Sequence, residues 1–535
     1  MAGLGNIAGQ ELDRKWRSTA KTVFGEDVGP LTDFAPWLSK ARFRVSKGKS
    51  CLSGKEVTCA FPTRPAEVNV IAFDEIDFEK KYAPLSINEL KDIDSIARAV
   101  SERAIYAGNV VLGNSQVVEG GTTIIDSSFI FEAGEVGYSK YNAYTYEGTY
   151  NECVFGCRGL GHNSFAINSF NLWKCTRCFE AYKLESSADC YYSHGLVNCQ
   201  NCFFCFNVKN KKHAIGNLAL PPDKYLQIKR KLLEEMRAKL AKGKELPSLL
   251  SIVGACKSDY KELKKAYAEM GKKAAAKQGN GAKAEEAFSS TMKIIFGREQ
   301  GNLSEKKEWL LEKIPRIEEG KSCASGSRLL IPPNSNYTDY PRNRLITLEE
   351  AEFVGERLNI SQEAAGKISF ENAAQIISDI AYLCAEWRVG TQAGNVDCPS
   401  GIESTDCLMT VLPIESKACA YSYLARNSES LFGTYYTRYS QFCIRCYQSA
   451  KLSRCAECDN CRDCTDCLFC HNCENVRDSM FCFNVKNLKN AIGNVELPRE
   501  KYLEIKKRVV DELNGQLGKD GKTEISIFDV GLKKR

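Results

Sequence analysis

The densest reactive chemistry in the chain is a run of thiols. Cysteines stand at Cys443, Cys446, Cys455, Cys458, Cys461, Cys464, Cys467, Cys470 and Cys473, so that every third residue from Cys455 to Cys473 carries a sulfur. Cys-x-x-Cys pairs such as Cys443/Cys446 and the earlier Cys175/Cys178 have the chelating spacing of zinc sites. Longer runs hold iron–sulfur clusters, but a ferredoxin-type loop widens its last spacing and follows it with proline. Neither feature is present after Cys464.

Exchange between repeats favours a different role for the sulfurs. Written in sixes from Cys443, the first position reads Cys443, Ser449, Cys455, Cys461, Cys467, Cys473, Ser479, Val485. The matching column earlier in the chain reads Leu172, Cys178, Leu184, Cys190, Leu196, Cys202, Val208, Ala214, with Cys205 and Cys482 in the neighbouring column. A position that takes Cys, Leu or Val asks for a small apolar side chain, and free cysteine behaves as one. Valine has no donor atom and cannot stand in for a metal ligand. Cys190, Cys202, Cys205, Val208, Cys467, Cys482 and Val485 are therefore read as structural columns, and no cofactor is favoured. Zinc or an iron–sulfur cluster on Cys443–Cys473 and Cys175/Cys178 is the alternative.

His194 and His471 occupy matched positions among only four histidines. With no nucleophile or carboxylate motif beside them, a structural hydrogen-bonding role is expected. Lys209, Lys212, Lys486 and Lys489 alternate with asparagines and read as a solvated face. The chain carries no P-loop, nucleophile elbow, dinucleotide fingerprint or HExxH motif. It also shows no convincing carboxylate pair for glycoside cleavage, which leaves a carbohydrate-active β-helix as a lesser alternative.

The elements that must position these residues are short repeats. From Asn460 to Asn490 every sixth residue is Asn or Asp, types that tolerate left-handed backbone. Repeats this short bury their apolar face only by stacking. The fold class expected is α+β, with two homologous modules, each a helix followed by a short β-solenoid with inward Cys/apolar columns and a C-terminal capping helix. By analogy with hexapeptide β-helices, three sixes make a coil of about eighteen residues. Each solenoid then meets an amphipathic helix, Pro222–Met236 or Pro498–Leu513. Their apolar stripes are Tyr225, Leu226, Ile228, Leu232, Leu233 and Tyr502, Leu503, Ile505, Val509, Val510, suited to covering an open solenoid end.

Two copies of this plan are legible. FCFNVKNKKHAIGN at 204–217 and FCFNVKNLKNAIGN at 481–494 share twelve of fourteen residues. Each copy opens with a helical stretch, Ser86–Tyr106 or Ser369–Trp387, and Ser86/Glu89 and Thr347/Glu350 have the spacing of capping boxes. The expected segments are 1–73 with a helix near 9–22, module 74–240, a Lys/Ala-rich helical linker and loop at 241–344, module 345–515, and a tail at 516–535.

Composition bounds the rest. The chain has 535 residues, 26 cysteines and a formal charge of +6, too diffuse to announce nucleic acid. It lacks an apolar leader and any run of about 18 apolar residues, so a cytoplasmic protein is expected, its cysteines thiols or metal thiolates rather than disulfides. The cysteine-every-third pattern, closing in an aromatic-Cys-x-Asn-apolar-Lys-Asn run and a Pro-led helix, resembles a loose group of prokaryotic cysteine-rich hexad-repeat proteins. The resemblance covers about 150–236 and 440–513 and implies repeat architecture without an activity. The function expected is a non-enzymatic structural or assembly protein that forms a homo-oligomer or binds a protein partner.

Overall fold

The computed structural model describes residues 7–41, 45–86, 90–270, 279–333 and 335–532. The three-residue apolar period becomes long parallel ladders with a constant register of twelve: Lys140 pairs with Glu152, Tyr146 with Arg158, and Cys443 with Cys455. Backbone N–H groups reach the carbonyl eleven residues ahead or thirteen behind, as in Gln441 to Leu452 and Arg445 to Phe432. The chain therefore returns to the same place every two sixes, which corrects the eighteen-residue coil expected by analogy. Side-chain type reports the six-residue period, whereas backbone bending sets how many sixes close a return.

That bending recurs at every third residue. Phe442, Arg445, Gln448 and Lys451 have φ of 51°, 51°, 49° and 53°. Four left-handed corners per return send the residue after each corner inward, which is why apolar types recur at three. Asn460, Asp466, Asn472, Asp478, Asn484 and Asn490 all sit at such corners, with φ between 44° and 56°. Corners also hold Tyr, Phe and Val, for which the left-handed region costs about 1–2 kcal/mol each. Stacking along the ladder offsets this: Tyr138 on Tyr150 at 4.9 Å, Tyr150 on His162 at 4.6 Å, and Phe469 on Phe481 at 4.8 Å. Amide rungs do the same, Asn475 Nδ2 donating to Asn487 Oδ1 at 2.8 Å.

The chain forms two compact units, and neither follows sequence order. One comprises 1–45, 109–273 and 319–386; the other comprises 46–108, 274–318 and 387–535. In the first, a sixteen-stranded sheet runs in two rows that meet at the ten-residue strand Thr176–Glu185, which pairs with both Ser164–Ile167 and Phe170–Trp173. Its inward columns gather Cys157, Cys175, Cys178, Cys190, Cys202 and Cys205 with Leu172 and Val208. Outside the sheet, Trp16, Phe24 and Phe34 pack with Phe155 and Phe179. In the second unit, sheets of five and seven strands enclose a cluster from Cys398 to Ala491 that includes the cysteines from Cys443 to Cys482 with Leu452 and Val485.

Several expected elements are redrawn. The helix expected over Ser369–Trp387 is confined to Ala373–Ile376. Ile377, Ile380, Ala381, Leu383, Cys384 and Ala385 are buried almost without interruption, so their spacing belongs to a buried turn and the core chain after it and not to one helix face. The helix expected over Ser86–Tyr106 shrinks to Ile93–Val100, capped by Asp92, whose side chain accepts from Ser95 N–H at 2.7 Å; Glu89 lies outside the described residues. The Thr347/Glu350 capping box forms. The end helices run Pro222–Gly243 and Arg499–Asp520. Their buried stripes are Tyr225, Leu232, Met236, Leu240 and Tyr502, Ile505, Val509, Leu513, Leu517, while Leu226 and Leu503 are exposed.

The segment expected as a linker instead supplies core. Phe288, Met292 and Phe296 of the helix Ala282–Phe296 are buried against strands of the second unit. The expected tail does likewise, with Ile525, Ile527 and Val530 buried and Tyr106 Oη donating to Ile527 O at 2.6 Å. No helix among the described residues is long and apolar enough to cross a membrane.

Candidate functional site: a cavity at Glu180

The residues singled out for chemistry are held within the ladders. The cysteines of both columns are buried, and their thiols donate to backbone carbonyls, as Cys470 Sγ does to Leu468 O at 3.5 Å and Ser479 O at 3.7 Å. Ser449 serves the column of Cys461 in the same way, its hydroxyl donating to Tyr447 O and accepting from Cys461 N–H. The column thus selects for size and a weak local donor. Among the described residues, no three or more His, Cys, Asp or Glu side chains are gathered to hold a metal ion.

The matched histidines each receive a backbone N–H. His194 Nε2 accepts from Cys384 N–H at 2.9 Å, and His471 Nε2 accepts from Ala107 N–H at 2.8 Å. Matched asparagines reinforce them, Asn207 Nδ2 donating to Tyr382 O and Asn484 Nδ2 to Ile105 O, both at 2.8 Å. Nε2 must carry the lone pair, so Nδ1 holds the proton. That proton goes to Asp459 Oδ2 from His471, at 2.8 Å, whereas His194 Nδ1 has no partner among the described residues. Burial, with the Lys183 cation nearby, holds His194 well below the usual imidazole range. Lys209 pairs with Glu352 and Lys486 with Glu474.

The site with unspent chemistry lies elsewhere in the first unit. A cavity of about 850 Å³ opens beside the long strand Thr176–Glu185, within the range of small-molecule pockets. Trp37, Phe170 and Tyr182 supply its aromatic wall, and Glu180 and Asn168 its inner polar groups. Glu180 is 3% exposed. Its Oε2 accepts from Tyr182 Oη at 2.8 Å and from Leu249 N–H at 2.7 Å, while Oε1 takes no hydrogen bond from the described residues. Burial pushes this carboxyl up to about 8, so it is largely protonated at neutral pH. At the mouth Lys40 pairs with Glu245, and Lys239 and Lys242 line the same opening.

The second unit sets an arginine beside the matching carboxyl. The alignment that sets Phe204 against Phe481 also sets Glu180 against Glu457. Glu457 is likewise 3% exposed, and its Oε2 accepts from Ile527 N–H at 2.9 Å. In the same alignment Asn168 is replaced by Arg445, whose Nε donates to Glu457 Oε1. Its other arms reach Trp309 O and Glu312 Oε2, the latter at 2.9 Å, and its guanidinium lies 5.4 Å from the Trp309 ring centroid. Burial pushes Glu457 upward, opposed first by Arg445.

The reading by motif missed Trp37, Asn168 and Glu180. A signal for them was present: Phe24, Gly25, Gly29, Leu31, Trp37 and Leu38 recur, in the same order and spacing, as Phe296, Gly297, Gly301, Leu303, Trp309 and Leu310. GKSCLSG at 48–54 recurs at the same offset as GKSCASG at 320–326. Following those repeats to the two tryptophans marks both places. No protein-family model, curated protein or solved structure matches the chain.

Proposed function

We propose that the protein is a non-enzymatic binding scaffold, a duplicated chain in which two solenoids of twelve-residue coils hold one pocket open and keep its counterpart closed. The observation that carries this reading is the relation of Glu180 to Glu457: equally buried carboxyls, one sealed by a guanidinium and one facing a cavity. Duplication is supported by the recurrences along the whole chain and by the reciprocal build of the units. The clasp that meets His194 comes from 382–384, and the clasp that meets His471 comes from 105–107. Each copy of the plan thus lends its clasp to the other's ladder. A rigid ladder suits binding because little of the site has to be ordered when a ligand arrives.

The test is a ligand-observed NMR panel of amino acids, amines, carboxylates and sugars on the full chain, repeated on Leu250→Trp, which fills the cavity from its lining. Binders that the filled variant no longer takes are expected. A panel without binders, or binders indifferent to the filling, would sink the reading, and turnover of any compound would remove its non-enzymatic half.

A further inference from the structure

We infer that the Glu180 pocket takes a guanidinium group, carried by a small ligand that also bears a carboxylate, in the place that Arg445 fills in the second unit. This rests on the binding reading above and names its ligand class.

The second unit displays the bound state with the chain's own side chain as ligand. There the guanidinium is held by a buried carboxylate and a tryptophan carbonyl, and lies near that tryptophan's ring. In the first unit the carboxyl and the tryptophan persist as Glu180 and Trp37, while the arginine is cut back to Asn168. What is lost is the cation and its stem, and what remains is a cavity lined by their partners. The free oxygen of Glu180 is Oε1, the counterpart of the oxygen that Arg445 engages on Glu457. A buried carboxyl with a vacant acceptor calls for a donor, and a planar fork beside an aromatic face is the form that guanidinium supplies and ammonium does not.

The opposite end of the ligand is set by the charge at the opening. Lys40 is paired with Glu245, but Lys239 and Lys242 line the opening without an ion pair among the described residues, and with Lys40 they outnumber the two acids there, Glu245 and Asp339. A guanidinium inside and a carboxylate at the mouth match this polarity along the cavity. The protonated state of Glu180 adds a signature. A cation that enters must displace the proton, so binding near neutral pH releases protons to solvent.

Titration calorimetry on the full chain, with L-arginine, agmatine, L-citrulline and L-lysine as probes, tests the assignment. L-arginine is expected to bind with proton release, read from the dependence of the heat on buffer ionisation. L-citrulline, which replaces the guanidinium by a neutral urea, should bind at least about tenfold more weakly, because the buried carboxyl is left without its charged partner. Agmatine should lose affinity for want of the carboxylate, and L-lysine for want of the fork. Glu180→Gln should weaken L-arginine by a similar factor, and Asn168→Arg, which restores the second unit's arrangement, should abolish binding while the protein still unfolds cooperatively. L-citrulline binding as tightly as L-arginine, or unchanged binding by Asn168→Arg, overturns the assignment. So does failure of both L-arginine and agmatine at millimolar concentration. If panel compounds still bind and are still lost in Leu250→Trp, that failure belongs to the ligand class alone; if nothing binds, the pocket reading falls with it.

Discussion

Arg445 and Glu457 stand one return of the ladder apart, and their guanidinium and carboxylate meet in the interior with side-chain exposures of 1% and 4%. Spacing by a full return places two corner side chains directly above one another. The same relation aligns Arg454 with Asp466 and Arg177 with Asp189. Those pairs lie nearer solvent, where water screens the attraction. The buried pair differs because neither partner can turn to water.

Removing one partner should therefore be costly and removing both should not. Arg445→Met is expected to destabilise the protein by about 3–5 kcal/mol, by stranding Glu457. Arg445→Met combined with Glu457→Gln should recover a large part of that loss. Urea unfolding of the four proteins of this cycle checks it, and additive losses would show that the two groups are not coupled.

Glu180 should make stability fall with rising pH. Its folded value, pushed up to about 8 by burial, exceeds the ordinary 4.5, so between these values the folded state holds a proton that the unfolded state has released. Stability then declines from pH 4.5 towards 8, by at most about 1.4 kcal/mol per unit, and levels off above. Glu180→Gln keeps the shape without the titration. Its stability relative to the parent should rise steadily from pH 5 to 8 in urea unfolding, and a constant difference would mean that Glu180 is already ionised.

Much of this architecture is legible in the residues, and the unread part has a physical cause. Cys178, Cys202 and Ala214 recur in one inward column and Leu172, Leu184 and Val208 in the next, which reports an apolar interior, because inward side chains meet the same environment at every return. The corner role of Asn472 and Asp478 is legible for the same reason. The length of a return is not, since six-residue periodicity is equally compatible with any number of sixes. Glu180 is silent by itself: its tryptophan, Trp37, lies far upstream in the sequence, and Asn168 acquires meaning only against Arg445. The two compact units are hidden too, because a clasp such as Tyr382–Cys384 carries no mark of which ladder it joins.

The thiols should be chemically quiet in the folded protein. All 26 cysteines are free, but only Cys51 is exposed and only Cys323 is half-buried. Burial keeps the column thiols out of reach of a reagent, and at two others it also suppresses the thiolate that reacts, pushing Cys323 up to about 11 and Cys59 up to about 12. A disulfide reagent at pH 8 should release about one rapid equivalent per chain, abolished by Cys51→Ser, with the rest following only after denaturation. Rapid reaction of many thiols under native conditions would show that the columns are open to solvent.

Val117 is the corner where strain should be recoverable. It has φ of 57°, is 46% exposed, and stands in the strand Gln116–Glu119. A β-branched residue is the poorest tenant of the left-handed region, since its second γ-substituent crowds the backbone there. Asparagine tolerates that region, as it does at the exposed corner Asn475, where φ is 52°. Val117→Asn is therefore expected to stabilise by about 1 kcal/mol. Val117→Gly should gain less, because glycine relieves the strain but also loosens the unfolded chain. The reverse exchange, Asn475→Val, should cost about 1–2 kcal/mol, since it adds the strain and removes the rung to Asn487. Urea midpoints of the three variants decide the matter: a Val117→Asn protein no more stable than its parent would mean that the corners impose no conformational cost and that residue type there is chosen by stacking alone.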